Sequence, residues 1–140
     1  MTKFAALEIP VDVPARLILR HPVTMVELTD KAKNSAYVDL LSTDSQAARE
    51  FERVKTDQAL SAPGRARTSY DEIERNAIEK LAALTCGWYL VGLDGTPLEV
   101  PFSKENAQEF YAAPGMAWVV EQVQLFIGAR ANFVKPSSPR

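Results

Sequence analysis

The spacing of apolar residues changes near Asp44, and this change limits which elements the chain can form. Before it, apolar and polar side chains tend to alternate, with Leu17 and Leu19 on one face and Arg16 on the other. A period of two is typical of half-buried strands. After it, apolar residues recur every three or four positions, as on a helix. The sequence therefore predicts an α+β fold that is mostly α-helical, with a small N-terminal β hairpin or sheet followed by about four helices.

The predicted β element occupies residues 1–41. Residues 15–22 alternate best and predict a strand, residues 23–29 its hairpin partner, and residues 37–41 a short third strand. Residues 4–14 contain two prolines, which favours an extended arm or an edge strand. We therefore expect all strand structure to lie before the first helix.

The helical part is predicted over residues 42–134, and it opens with residues 42–45, all of which are good N-cap residues. Ser69 with Glu72 three residues later forms a capping box, and Ser103 is a further N-cap residue. Apolar residues from Tyr70 to Trp88 share one face, which predicts a core helix ending near a glycine. The predicted helices are residues 42–60, 69 to about 87, 103–112 and 114 to about 130.

Three segments without helical periodicity complete the predicted organisation. Residues 61–68 have the composition of a linker and are expected to be the most mobile internal segment. The Asp94-Gly95 pair is the strongest turn signal in the chain. Residues 135–140 are polar and contain two prolines, so a flexible tail is expected. A chain of 140 residues has the length of one domain, so we expect residues 1–140 to form a single domain.

Composition restricts the classes of partner. With 46% hydrophobic residues, the chain has enough apolar material for a core without disulfides or metal. The formal net charge is −2 and the two signs are interspersed, so nucleic acid is not an expected partner. No apolar run approaches the ~18 residues of a membrane-spanning helix, and no membrane partner is expected. We expect a cytosolic protein.

Residues with catalytic or ligand-binding chemistry are isolated from one another in the sequence. His21 lies at a predicted strand end with no acid or nucleophile near it, so a turn histidine is expected. Cys86 is the single cysteine and is expected to be a small buried residue in a helix. Asp71, Glu72 and Glu74 fall in a first helical turn, where carboxylates stabilise the helix dipole. We therefore expect no catalytic residue, no metal and no cofactor.

The fourth predicted helix is apolar on two sides. Opposite its main apolar face lie Trp118, Leu125 and Ala129, with Gln122 between them. Such a helix is either central in the core or covered by a partner, which includes a second copy of the chain. The first helix presents a thin apolar seam around Phe51. These five residues are the candidate partner-binding positions.

Three blocks of sequence follow in a characteristic order: LRHP, then LLSTDSQAAREF, then GWYLVGLDGTPLEVPFSKENAQEFYAAPGMAWVVEQVQLFIGARANF. The last block combines Gly-Trp, an Asp-Gly turn, Pro-Phe-Ser, a later proline and a helix ending in Asn-Phe. Together the blocks resemble the tail assembly chaperones of long-tailed bacteriophages and prophages. The resemblance covers most of residues 15–134, and its motifs are structural, with no catalytic fingerprint.

The resemblance implies a non-enzymatic protein in the cytoplasm of a bacterial host. Such chaperones bind the tape measure protein, keep it soluble and help tail tube subunits polymerise around it. The tape measure protein is thus the expected partner, with the tail tube protein and a second copy of the chain as further partners. The main alternative is a structural tail-completion or head–tail connector protein, which would stay in the particle. A small enzyme of unknown type is a second alternative.

Overall fold

The computed structural model describes residues 3–61 and 69–134. It is an α+β fold, 48% helical and 15% strand, as predicted. The predicted linker, apart from Ser61, and the predicted tail lie outside the described residues. The strands are β1 (Ala15–Ile18), β2 (Tyr37–Leu40) and β3 (Thr85–Tyr89), and the helices are α1 (Gln46–Leu60), α2 (Tyr70–Leu84), α3 (Lys104–Ala112) and α4 (Ala117–Gly128), with short 3-10 helices at Ala5–Leu7, Pro114–Met116 and Arg130–Asn132.

The three strands form one antiparallel sheet in the order β1-β2-β3. Leu17 lies opposite Val38, and Val38 lies opposite Trp88. The prediction that strand structure is confined to residues 1–41 is therefore wrong for β3. The whole of α1 and α2 lies between β2 and β3 in the sequence. The local spacing of apolar residues does not indicate so distant a partner.

The segment between β1 and β2 is less regular than predicted. Residues 23–29 form no continuous strand, and pair only through isolated bridges such as Arg20 with Glu27. A tight turn occupies the tip, where Met25 adopts a φ of 61°. Residues 4–14 hold a 3-10 turn and no strand, which excludes the predicted edge strand while leaving an arm.

Serine side chains begin three helices, as the sequence predicts. The side chains of Ser45, Ser69 and Ser103 accept hydrogen bonds from backbone N–H groups three residues later, so each satisfies a donor that the first helical turn leaves open. The Asp94-Gly95 turn is also present, and Gly95 has a φ of 87° that favours glycine.

The predicted apolar stripe of α2 is only partly buried. Leu81 and Leu84 are in the core, whereas Tyr70 is 74% and Ile73 is 58% exposed. The buried residues of α2 all fall in its last four positions, so its first half extends beyond the core. Trp88 does not continue this stripe, because α2 ends at Leu84.

The end of α2 is fixed by groups from three other elements. Thr85 donates its hydroxyl proton to the Leu81 carbonyl, and its own N–H to the Ala82 carbonyl. The Lys104 ammonium donates to the carbonyls of Ala82, Ala83 and Thr85, and the Leu41 N–H donates to the Leu84 carbonyl. All four carbonyls that a helix end leaves open are thus satisfied. The chain can therefore leave the helix and enter β3 at once.

The core lies between the inner face of the sheet and the helices. Tyr111 is 2% exposed, and its hydroxyl donates to the Thr85 hydroxyl at 2.8 Å, because Thr85 already donates to Leu81. Burial raises the pKa of Tyr111 to about 12. The largest fully buried apolar side chains come from β2, α2 and α4: Val38, Leu40, Leu81, Leu84, Val119 and Val123.

Trp88 packs in an aromatic cluster beside this core. The centre of its ring lies 5.3 Å from that of Phe102 and 5.1 Å from that of Phe110. Its indole N–H donates a hydrogen bond to the Val100 carbonyl at 2.8 Å. Trp88 is half-buried. The 96–102 segment is therefore held against β3 through one side chain.

Replacing Trp88 by alanine should lower the free energy of unfolding by roughly 3 kcal/mol, since it removes two ring contacts and leaves a cavity. Tyr70→Ala is the matched control and should change it by less than about 0.5 kcal/mol, because Tyr70 is mostly exposed. Urea unfolding of the three proteins measures both values. Equal losses of stability would contradict the description of Trp88 as packed and Tyr70 as exposed.

The raised pKa of Tyr111 predicts a loss of stability at high pH. The folded state binds the phenolic proton more tightly than the unfolded state, whose pKa is about 10. The stability that comes from this tighter proton binding is fully present below pH 10 and is lost as the pH rises towards about 12. Between these values the parent should lose about 2–3 kcal/mol more than Tyr111→Phe. Unfolding at pH 9 to 12 checks this, with Tyr70→Phe as the control that should follow the parent.

Candidate functional site

Three of the five predicted partner-binding residues lie on one side of α4, and a fourth directly follows the helix. We name these four the α4 face: Trp118, Gln122, Leu125 and Ala129. Leu125 is 78% exposed, and Ala129 is exposed just beyond the end of the helix. Trp118 is half-buried and packs against the core. The α4 face is thus open at its C-terminal end and engaged with the fold at its N-terminal end.

The side chain of Gln122 joins this face to the segment after β1. Its Oε1 accepts a hydrogen bond from the Arg20 N–H at 3.0 Å, and its Nε2 donates to the Arg20 carbonyl at 2.9 Å. The amide thereby pairs with a backbone residue much as a neighbouring strand would. Gln122 has a structural partner within the chain, which spacing on one helix could not have indicated.

The turn that follows Arg20 presents apolar side chains to solvent. Val23, Met25 and Val26 are 80%, 54% and 64% exposed. The turn is held by His21, whose Nδ1 accepts hydrogen bonds from the N–H groups of Val23 and Thr24. The prediction of a turn histidine is confirmed.

Phe51, the fifth predicted residue, lies elsewhere, in a groove between α1, α2 and α3. We name this the three-helix groove, and its volume is about 400 Å³. No residue of α4 lines it. Its apolar surface comes from Phe51, Val54, Ala82 and Ala83, and its polar rim from Lys55, Gln58, Glu79, Lys104 and Gln108.

Charged side chains hold the walls of the three-helix groove in place. Lys55 on α1 pairs with Glu79 on α2 at 2.6 Å, and its ammonium lies 5.5 Å from the centre of the Phe51 ring. Lys104 crosses from α3 to the carbonyls at the end of α2. The three helices are therefore tied together around an apolar floor, which favours a preformed groove.

The solvent-facing side of the sheet carries a second, polar depression of about 580 Å³. Arg16 forms a salt bridge with Asp39 and stacks over the Tyr37 ring at 3.6 Å. The Tyr89 hydroxyl donates to Asp30 at 2.6 Å, and this bond lowers the pKa of that carboxyl. These polar groups are therefore paired within the chain.

Cys86 was expected to be buried in a helix, but it is exposed and lies on β3. It falls where the pairing of β2 and β3 shifts register, between the pairs Leu40–Thr85 and Asp39–Gly87. The extra residue of such a bulge has no partner across the sheet. In residues 3–61 and 69–134, no group of three or more His, Cys, Asp or Glu residues is placed to hold a metal ion. The same residues include no helix with the length and apolarity needed to cross a bilayer.

Comparison with known proteins adds no relative, since no family model, curated protein or solved structure matches the chain.

Gln122→Ala should lower the free energy of unfolding by roughly 1–2 kcal/mol, because it removes both hydrogen bonds to Arg20. Gln124→Ala is the matched control: Gln124 is exposed on the same helix and should change stability by less than about 0.5 kcal/mol. Thermal or urea unfolding distinguishes them. Equal stability of the two variants would show that the Arg20 contact contributes nothing.

Proposed function

We propose that the protein is a non-enzymatic phage tail assembly chaperone that holds a helical segment of the tape measure protein. The observation that carries this proposal is the three-helix groove, an apolar channel open to solvent between packed helices. Amphipathic helices bind in such grooves by laying their apolar face against the floor. The sequence resemblance supplies the identity of the client, and the groove supplies a place for it.

The packing of α1 supports a helical client. Ala48 is its single buried residue, while Phe51 is half-buried and Val54 is 39% exposed. A helix with so little buried surface gains little stability from packing in the isolated chain. A client helix lying along α1, α2 and α3 would cover Phe51 and Val54 and complete a four-helix arrangement.

The exposed end of the α4 face is the second candidate surface. Leu125 and the turn residues Val23 and Met25 are exposed apolar side chains on elements joined through Gln122. This surface suits a contact with the tail tube protein or with a second copy of the chain. It is proposed here as the secondary surface, because Trp118 and Gln122 already serve the fold.

Co-expression with the neighbouring tape measure gene tests the proposal. The parent should increase the soluble fraction of the tape measure protein, and Val54→Glu should lose most of this increase by placing a charge on the groove floor. Leu60→Glu is the matched control, because Leu60 is on the same helix and 81% exposed but does not line the groove. Leu125→Glu reports on the α4 face.

Three outcomes would contradict the proposal. If Val54→Glu and the parent solubilise the client equally while Leu125→Glu does not, the α4 face is the binding site. If no variant differs from the parent, neither surface binds the client. If the protein remains in purified virions, a tail-completion or connector role replaces that of a chaperone. Circular dichroism of each variant confirms that folding is retained.

A further inference from the structure

The charge at the rim of the three-helix groove is opposite in sign to that of the whole chain. Two lysines, Lys55 and Lys104, and one glutamate, Glu79, line it, which leaves an excess of one positive charge. The whole chain carries a formal net charge of −2. The local positive charge therefore favours an acidic ligand, whereas the overall negative charge would attract a basic one.

We infer that the groove selects amphipathic helices whose apolar stripe is flanked by carboxylates. This inference rests on the proposed function and specifies the chemistry of the client segment. A carboxylate beside the stripe would meet Lys55 as the apolar side chains enter between α1 and α2. A lysine at the same position would face two ammonium groups and one carboxylate.

Lys55 is the residue best placed to bind such a carboxylate. Its ammonium has three donors, and among the described residues its one polar partner is Glu79, in a salt bridge. Lys104 differs, because its donors are directed at three backbone carbonyls and its charge acts through space only. Lys55 is thus the direct contact and Lys104 a supporting charge.

Two uncommitted amides flank the same rim. Among the described residues, the side chains of Gln58 and Gln108 have no hydrogen-bonding partner, although both line the groove. Each amide offers two donors, which suit carboxylate oxygens. One lies on α1 and the other on α3, so polar donors stand on both sides of the apolar floor.

Two probe peptides test this inference. Both are 18-residue helices, about five turns, with an identical leucine stripe at a three-and-four spacing, flanked by glutamates in one and by lysines in the other. Fluorescence anisotropy should show that the parent binds the glutamate peptide about tenfold more tightly at low salt. The difference should shrink at about 0.5 M salt, where exposed charges are screened. Attraction by net charge alone predicts the opposite order.

Lys55→Gln should abolish most of the preference while keeping residual binding of both peptides through the apolar floor. Lys80→Gln is the matched control, because Lys80 also bridges α1 and α2, through Glu52, but does not line the groove. It should retain the preference. Val54→Glu should weaken both peptides.

Equal binding of the two peptides, or tighter binding of the lysine peptide, overturns the inference and leaves the groove as a helix-binding site. Loss of the preference in Lys80→Gln as well as Lys55→Gln also overturns it, since the effect would then follow from helix packing. Binding of neither peptide overturns both the inference and the groove as the site of the proposed function. The co-expression assay separately reports whether the chaperone function exists.

Discussion

The fold depends on how α2 ends. Four backbone carbonyls at a helix terminus must find donors, and here Thr85, Lys104 and Leu41 supply them from β3, α3 and the segment after β2. Because these donors come from separate elements, one helix end fixes the positions of all of them. The junction therefore positions part of the sheet, part of the aromatic cluster and one side of the three-helix groove.

The same junction explains why the three-helix groove is separate from the core. Within α1 and α2, burial is concentrated at the start of α1 and the end of α2, where Ala48, Leu81 and Leu84 lie. Away from it, the salt bridges Lys55–Glu79 and Glu52–Lys80 connect α1 and α2. Ion pairs at a surface contribute little to stability but leave apolar side chains between them accessible. This exposed apolar surface is what the proposed helical client would cover.

Local chemistry made much of this fold predictable. The serine caps of α1, α2 and α3 and the Gly95 turn were readable, because each involves residues within a few positions of one another. Features that depend on distant residues were not. In the sequence, Trp88 falls on the spacing of the predicted helix, but in the structure it lies on β3 and pairs with β2. The exposure of Tyr70 depends on where the core ends. Phe51, predicted on a thin apolar seam, lines the three-helix groove, whereas nothing in the sequence indicated the contact between Gln122 and Arg20.

The two strands that flank β2 in the sheet lie at very different distances from it along the sequence. β1 and β2 are close in the chain, but β3 follows only after all of α1 and α2. A growing chain can therefore pair β1 with β2 early, while one edge of β2 stays open until β3 emerges. Pairing of distant strands slows folding, because loop closure must precede the contacts that reward it. The Leu41 N–H, just after β2, donates to the Leu84 carbonyl at the end of α2. Once α1 and α2 are packed, the two ends of this closure therefore lie together, and β3 has only a short distance to travel to its place beside β2.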